Sequence, residues 1–304
     1  MGEYDWPFIG TEALAAGRVS RRTLRSRHQM VYRNVYIPNG QELTPVTRGV
    51  AAWLWSMRTA TVAGLSAAAL LGSRWIDPRL PAELNRPEAC NVDGIVVHRE
   101  KLLDHETCVV QGMPVTTPAR TAFDLGRRKG LTTAVIRLDA LANATGLRAA
   151  SIESAAEDHP GSRGIVQLRR VLELIDGGAE SPQETRTRLL LVRAGLPKPT
   201  TQIVVRDRFG NPFARIDMGY EEWEVGIEFD GPQHWTDPAR RTADIDRQAE
   251  LGALGWRMVH VSGDLLRYRP GIVVARTCAA LEAAGCTWLA ECGVDERFLR
   301  QRVA

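Results

Sequence analysis

The segment RIDMGYEEWEVGIEFDGPQHW, residues 215–235, alternates apolar and polar residues on either side of a polar turn, a pattern that predicts two paired β-strands. Residues two apart in a strand share a face, so Glu228 and Asp230 project together. Pairing through the GYEEW turn places Asp217 opposite Glu228. Carboxylates this close repel one another and either take up protons or bind a cation. Because Mg²⁺ (or Mn²⁺) prefers oxygen ligands, we predict a metal site shared by the two strands.

Acidic residues on the solvent-exposed face of a half-buried sheet are also common, and this is the competing interpretation. Three further residues favour the metal site. Gly231 lets a backbone approach closely, His234 lies four residues past Asp230, and Glu184 lies on the helix that precedes the sheet.

The flanking segments predict the elements around these two strands. Residues 181–196, SPQETRTRLLLVRAGL, are typical of a helix capped by Ser181 with Pro182 at its first position. Alternation then predicts three strands, in TQIVVRD, FARIDMGY and WEVGIEFDG. A helix in DPARRTADIDRQAELGALG, a strand in WRMVHVS and a last helix at 271–284 follow. The predicted order is therefore α-β-β-β-α-β-α.

The first 45 residues predict a helix-turn-helix followed by a hairpin. GTEALAAG is a short helix ended by Gly17, VSRRTLRSRH is a second helix with Ser20 as its N-cap, and MVYRNVYIPNG alternates as a strand. Six arginines and no acidic residue lie between Arg18 and Arg33. Such a segment gains affinity for phosphates through counterion release. The candidate DNA-binding residues in this segment are Arg21, Arg22, Arg25, Arg27 and Arg33.

The middle of the chain is less regular. Helical patterns at 46–72 precede strand-like pieces in GIVVHRE and GMPVTTP, and a helix is expected after Thr117 with Pro118 at its first position. Further helices are predicted at 131–142, 148–157 and 164–175. His98 and His105 are interpreted as packing or surface residues. The Gly-rich segment IDGGAESP, 175–182, marks a boundary.

Composition places the chain among ordinary globular proteins. With 39 basic and 36 acidic residues among 304, the formal net charge of +3 is too small to indicate a nucleic-acid partner by itself. Five cysteines without a C-x-x-C pair predict neither a disulfide framework nor a zinc site. The N-terminus has no signal-peptide pattern, and TATVAGLSAAALLG, residues 59–72, is interpreted as a buried helix. We therefore expect a cytoplasmic protein that does not enter a membrane.

The C-terminal motifs together carry a family resemblance. Glu184, Asp217 and Glu228 on an αβββαβ order resemble the PD-(D/E)XK nuclease superfamily, and ESPQETRTRLLLVRAGLP, IDMGY, IEFDGPQHW and DIDRQAELGALGWRMVHVS look like endonuclease-like domains related to very short patch repair endonucleases. The resemblance covers residues 164–284. It implies a restriction-endonuclease-like core and cleavage of DNA, with a possible role in DNA repair.

This resemblance implies roles for individual residues. Asp217 and Glu228 would bind the metal together with the carbonyl of Phe229, and Glu184 would hold a metal-bound water or a second ion. Asp230 replaces the superfamily lysine, so His234 becomes the candidate for proton transfer, while Asp230 would orient His234 or bind metal itself. The following helix offers arginines that would bind the DNA backbone or else form a solvated face: Arg240, Arg241 and Arg247. His260 is expected to be a packed residue.

A looser resemblance covers the rest of the chain. RRTLRSRHQMVYRNVYIP and TTPARTAFDL are similar to AbiEi-type antitoxins, which implies an N-terminal winged helix-turn-helix. The predicted mixed α/β fold thus has three domains: a winged helix-turn-helix at 1–45, a mixed and mainly helical middle region at 46–163, and the endonuclease-like domain at 164–304. DNA is the expected partner, and a toxin or repair protein is a further candidate.

Three functions are compatible with these patterns. The first is a metal-dependent DNA endonuclease or nickase that hydrolyses phosphodiester bonds and binds DNA through its N-terminal module. The alternative is a DNA-binding transcriptional regulator of antitoxin type that retains a nuclease fold without cleaving. The third is a protein-interaction module whose basic helix faces water.

Overall fold

The computed structural model describes residues 6–88, 91–128, 130–231 and 238–299, with the backbone alone at 238–244, 296 and 299. The candidate residue His234 lies outside these ranges, as do the side chains of Arg240 and Arg241. The chain folds into two compact units, residues 1–175 and 176–304. It has the mixed α/β composition that the sequence predicts.

A small antiparallel sheet begins the first unit. Its strands are β1 (Phe8–Ile9), β2 (His28–Tyr32) and β3 (Val35–Pro38), arranged in the order β1-β3-β2, and helices α1 (Gly10–Ala15) and α2 (Arg21–Arg27) lie between the first two. MVYRNVYIPNG forms both strands of the hairpin instead of one strand, because Asn34 turns the chain with a left-handed backbone, φ 64°. Ser20 caps α2, as predicted, since its hydroxyl accepts a hydrogen bond from the Thr23 N–H at 3.0 Å.

A mixed sheet of five short strands forms the middle of this unit. The strands are β4 (Thr61–Val62), β5 (Ala82–Asn85), β6 (Ile95–His98), β7 (Thr107–Val110) and β8 (Met113–Thr116). They are arranged β6-β5-β4-β8-β7, and β4 is antiparallel to β5 but parallel to β8. The helices are α3 (Pro45–Trp55), α4 (Gly64–Leu70), α5 (Pro118–Gly126), α6 (Leu131–Thr145), α7 (Ala149–Glu157) and α8 (Ile165–Leu174).

Helix positions in this unit follow the predicted signals at several points. Thr117 caps α5 by accepting from the Arg120 N–H at 3.3 Å, with Pro118 at the first position. Every residue of α4 is buried, which confirms the interpretation of the Ala-rich segment as a buried helix. The helical pattern at 46–72 is interrupted by β4, however. Within the described ranges, no helix has both the length and the apolarity needed to cross a membrane.

One apolar core joins the two sheets of the first unit. Ile9, Tyr32 and Val35 of the small sheet pack in the same cluster as residues of α3 and of the five-stranded sheet, such as Val50 and Val115. A separate small cluster of Ala13, Val19 and Leu24 holds α1 against α2.

The second unit has the predicted α-β-β-β-α-β-α order. Its elements are α9 (Pro182–Arg193), β9 (Thr200–Arg206), β10 (Pro212–Tyr220), β11 (Val225–Asp230), α10 (Pro238–Ala253), β12 (Arg257–Ser262), α11 (Gly263–Tyr268), α12 (Pro270–Ala283) and α13 (Glu296–Leu299). Strands β9, β10 and β11 form an antiparallel meander, and β12 adds in parallel to β11. The helix predicted at 271–284 is α12, and the short helix α11 before it was not predicted.

Two apolar clusters pack helices against this four-stranded sheet. Leu191 of α9 and Val273 of α12 pack with Ile227 and Val259 in the first. Leu251 of α10 packs with residues of β9 and β10 in the second. The acidic residues of β10 and β11 alternate with the apolar residues of these clusters.

Candidate functional site

The exposed arginines of the first unit are positioned by helix α2. Leu24 is the buried residue of this helix, and it packs with Ala13 and Val19. Burial of Leu24 directs the remaining positions outward. Four candidate DNA-binding residues on α2 and one in the following turn are exposed: Arg21, Arg22, Arg25, Arg27 and Arg33. None of these five side chains forms an ion pair with a described carboxylate, so their charge is available to a ligand.

The turn that carries Arg33 is tied to the start of helix α1. The side-chain amide of Asn34 accepts a hydrogen bond from the Thr11 N–H at 3.1 Å and donates one to the Thr11 hydroxyl at 2.9 Å. These two bonds fix the position of the hairpin relative to helix α1.

Three of the predicted site acids come together in the second unit. The register Met218↔Ile227 puts Asp217 and Glu228 beside each other on β10 and β11. Asp217 Oδ2 accepts a hydrogen bond from the Phe229 N–H at 2.8 Å. Glu184, on the first turn of α9, and Glu228 are only 8% and 6% exposed. The structure thus brings together Glu184 and Glu228, which are buried, and Asp217, which is partly buried; these three residues are here called the carboxylate cluster.

Burial and mutual repulsion change the protonation of the carboxylate cluster. Burial raises the pKa of Asp217 to about 7; the hydrogen bond from Phe229 opposes this shift, and the neighbouring charges of Glu184 and Glu228 add to it. Burial likewise raises the pKa of Glu184, against the hydrogen bond that the Glu180 N–H donates to it. Near neutral pH a substantial fraction of Asp217 therefore carries a proton.

Glu228 is neutralised differently, by Arg247 of α10. The guanidinium makes two hydrogen bonds to its carboxylate, from Nη1 at 2.8 Å and from Nη2 at 3.1 Å. The sequence makes Arg247 a candidate for binding the DNA backbone, and the structure instead turns it towards Glu228. The sequence pattern of α10 contains no information about a partner on β11, so this pair was not predicted.

The fit of this cluster to a divalent cation is incomplete. Asp217 keeps one carboxylate oxygen without a hydrogen bond to a described residue, and oxygen donors suit Mg²⁺ or Mn²⁺. Glu228, however, already faces a cation in Arg247. Among the described residues, no group of three or more His, Cys, Asp or Glu side chains is arranged to hold a metal ion. The metal-binding roles of Asp217, Glu228 and Phe229 therefore stay predictions.

Asp230 and His260 form a second pair next to the cluster. His260 Nδ1 lies 3.2 Å from Asp230 Oδ1, and His260 Nε2 lies 3.1 Å from the Gln248 side-chain nitrogen. The hydrogen bond to Asp230 raises the pKa of His260. His260, which the sequence predicts to be a packed residue, lies in register with Glu228 on the neighbouring strand β11 and is partly buried. The role predicted for His234 lies outside the described residues.

A buried ion network in the first unit was not found from the sequence. Arg120, 1% exposed, donates to Glu106 at 2.6 Å and to Asp124 at 3.0 Å, and His159 lies 2.7 Å from the other oxygen of Glu106. Burial would raise the pKa of Glu106, but the Leu103 N–H and His159 outweigh burial and lower it. The segment TTPARTAFDL contains Arg120 and Asp124, four residues apart on one helix, and this spacing was the sequence signal for the ion network.

A related pairing surrounds Glu83 on β5. Its carboxylate lies 2.7 Å from His98 Nε2, accepts from Arg128 Nη2 at 2.6 Å and accepts from the Leu65 N–H at 3.0 Å. Burial alone would raise the pKa of Glu83, yet these partners lower it to about 2. His98 and His105, which pairs with Asp158 at 3.0 Å, thus serve as ion-pair partners in the fold.

One family model and two curated proteins are similar to parts of this chain. Residues 60–174 match the family model described as the AbiEi antitoxin C-terminal domain. Two curated proteins from different strains of Mycobacterium tuberculosis, both described as uncharacterized, are 33% identical to the chain over 175 residues. The aligned residues make up 58% of this chain and 64% of each relative, so the chain spans less than two thirds of their length.

No solved structure gives a significant match to the chain. The family match includes TTPARTAFDL, one of the two segments on which the resemblance to AbiEi-type antitoxins rests. None of these comparisons supports the resemblance of the second unit to PD-(D/E)XK or very short patch repair nucleases.

Proposed function

We propose that this protein is a DNA-binding regulator of antitoxin type. The observation that carries the proposal is the exposed set of five arginines on and beside helix α2, which have no carboxylate partner among the described residues. The hairpin β2–β3 directly follows α2, and in the proposed function it would act as the wing of a helix-turn-helix. The match of residues 60–174 to an antitoxin domain supports the same function, and a toxin is the corresponding candidate partner.

The arginines would act mainly through phosphate contacts. Each contact releases condensed counterions from the duplex, so affinity falls steeply with salt. Phosphate contacts position a protein on DNA but carry little sequence information, so base contacts from α2 would have to supply any operator preference.

The first prediction concerns a double substitution on α2. In Arg21→Ala/Arg25→Ala, we expect weaker binding to a 20–30 base-pair duplex and a log–log salt slope shallower by about 0.9 for each phosphate that the protein no longer neutralises. Fluorescence anisotropy titrations between low and moderate salt would measure both. The matched control is Arg79→Ala/Arg297→Ala, which removes the same charge from two exposed arginines that pair with Asp77 and Asp295. Equal reductions of affinity in both variants would contradict the proposal.

A metal-dependent DNA endonuclease or nickase is the second candidate, and the carboxylate cluster favours it. Two buried acids lie beside Asp217, whose pKa is raised to about 7, and a carboxyl group perturbed in this way is typical of a functional site. A bound Mg²⁺ or Mn²⁺ would supply Lewis acidity to phosphodiester hydrolysis. Asp217 and Glu228 would hold the ion, and Glu184 would position water.

The second prediction separates these two candidates. Supercoiled plasmid incubated with the wild-type protein and Mg²⁺, Mn²⁺ or chelator should be nicked only with metal if the cluster is catalytic, and Asp217→Asn should lose the nicking. The Asn side chain preserves an acceptor for the Phe229 N–H, so the loss of nicking would not follow from a broken hydrogen bond. Binding of the plasmid without nicking at any metal concentration would exclude the nuclease on this substrate class and leave the regulator.

A further inference from the structure

The hairpin between β9 and β10 ends in an unusually ordered turn, residues 207–211. Asp207 Oδ1 accepts hydrogen bonds from the N–H groups of Phe209 and Asn211, both at 2.8 Å, and Asp207 Oδ2 accepts from the Asn211 side chain at 3.3 Å. The backbone closes the turn with two more bonds, between Asp207 and Asn211 and from Gly210 to Asp207. Gly210 has φ +85°, a conformation that glycine adopts without strain.

This ordered turn presents an aromatic ring to solvent. Phe209 is 74% exposed, and the guanidinium of Arg208 lies 4.8 Å from its ring centroid. Arg206, also exposed, donates to the Gly210 carbonyl at 2.9 Å. A large apolar side chain on a preorganised tip gains nothing for the fold, but the preorganisation lowers the entropy that a partner's binding would cost.

The charge at this tip is positive. Arg206 and Arg208 form no ion pair within the described part of the chain. The acid of the tip, Asp207, turns its carboxylate inward to the turn, and the hydrogen bonds from Asn211 and Phe209 lower its pKa, so it stays ionised in that role. The tip therefore offers two guanidinium groups and one aromatic ring, and its one carboxylate is engaged by hydrogen bonds within the turn.

We propose that the tip of the β9–β10 hairpin, Arg206–Asn211, is a second DNA contact, in which Phe209 packs against the bases and Arg206 and Arg208 bind phosphates. The inference rests on the proposed DNA-binding function and adds a site in the second unit, separate from α2. Apolar side chains inserted at base steps and arginines on flanking phosphates are a common combination in DNA-binding proteins.

The test uses the full chain and compares two variants: one removes the aromatic ring, and the other removes the two positive charges. Phe209→Ala should bind a fluorescent duplex about tenfold more weakly with an unchanged salt slope, because a stacking contact releases no counterions. Arg206→Ala/Arg208→Ala should make the slope shallower by about 0.9 for each phosphate contact. The urea midpoint of Phe209→Ala should equal that of the wild type, since the ring is mostly exposed.

A matched control is present in the same unit. Tyr268 is 66% exposed, and Arg267 lies over its ring at 5.1 Å, so Tyr268→Ala removes a similar arginine–aromatic pair that is not on the hairpin. Tyr268→Ala should bind DNA as the wild type does. Wild-type affinity in Phe209→Ala, together with weaker binding by Arg21→Ala/Arg25→Ala, would overturn the hairpin contact while the proposed function stands. Failure of the wild type to bind any duplex would overturn both.

Discussion

Asp217 shows how one side chain can make stability depend on pH. Its pKa is raised from 3.8 to about 7, so the folded state holds a proton that the unfolded state has released between these pH values. The stabilising effect of this protonation is complete below pH 3.8 and is lost as the pH rises through 7. Above pH 7 the charged group is buried against Glu184 and Glu228, which destabilises the fold.

The third prediction follows from this loss of stability as the pH rises. Asp217→Asn should raise the free energy of unfolding relative to the wild type by about 4 kcal/mol at pH 8.5, because the amide carries no charge to bury. The difference should shrink as the pH falls to 5. Urea unfolding of both proteins at a series of pH values would measure it, and a difference that does not change with pH would show that Asp217 is not the titrating group.

The partners of individual charged side chains were the hardest feature to predict from the sequence. The alternation on β11 correctly places Glu228 and Asp230 away from Ile227, which packs in the core. The cations that meet these acids, Arg247 and His260, come from elements that follow later in the chain. Alternation within a strand contains no information about a neighbouring helix or a parallel strand, so it could not identify either pair.

At the scale of elements, the strongest local signals predicted the correct structure. Ser181 caps α9 by accepting from the Glu184 N–H at 3.2 Å, and Pro182 occupies the first turn, where its missing N–H does no harm. The meander of β9, β10 and β11 was predicted because each strand alternates and each turn is polar. Antiparallel neighbours joined by short turns can be recognised locally, since pairing follows from the turn.

The fourth prediction tests the cap of α9. Ser181→Ala should lower the free energy of unfolding by about 1 kcal/mol, because the Glu184 N–H loses its acceptor in a partly buried position. Ser181→Asp restores an acceptor, and should recover most of the stability. Urea unfolding monitored by circular dichroism compares the three proteins; an equal destabilisation in both variants would mean that the hydroxyl is needed for something other than capping.

On the scale of the whole molecule, the five-stranded sheet of the first unit escaped prediction. Strand β4 has only two residues, Thr61–Val62, and is too short to show alternation. Strand β5 is mostly buried but contains Glu83, and a charged residue argues against an interior strand. Its partners Arg128 and His98, which make burial of this carboxylate possible, come from distant parts of the sequence. The boundary near residue 175 was recognisable in IDGGAESP, but the three predicted domains stay a prediction.

The pairing of Val62 with Val115 in this sheet has a consequence for how the chain folds during synthesis. These strands are distant in sequence, and closing so long a loop is slow compared with forming the nearby hairpin β2–β3. Since a ribosome releases the N-terminus first, we expect α2 and its hairpin to form while β8 is still being made. The arginine-rich helix would therefore meet ribosomal RNA, the nearest polyanion, before the unit that carries it is complete.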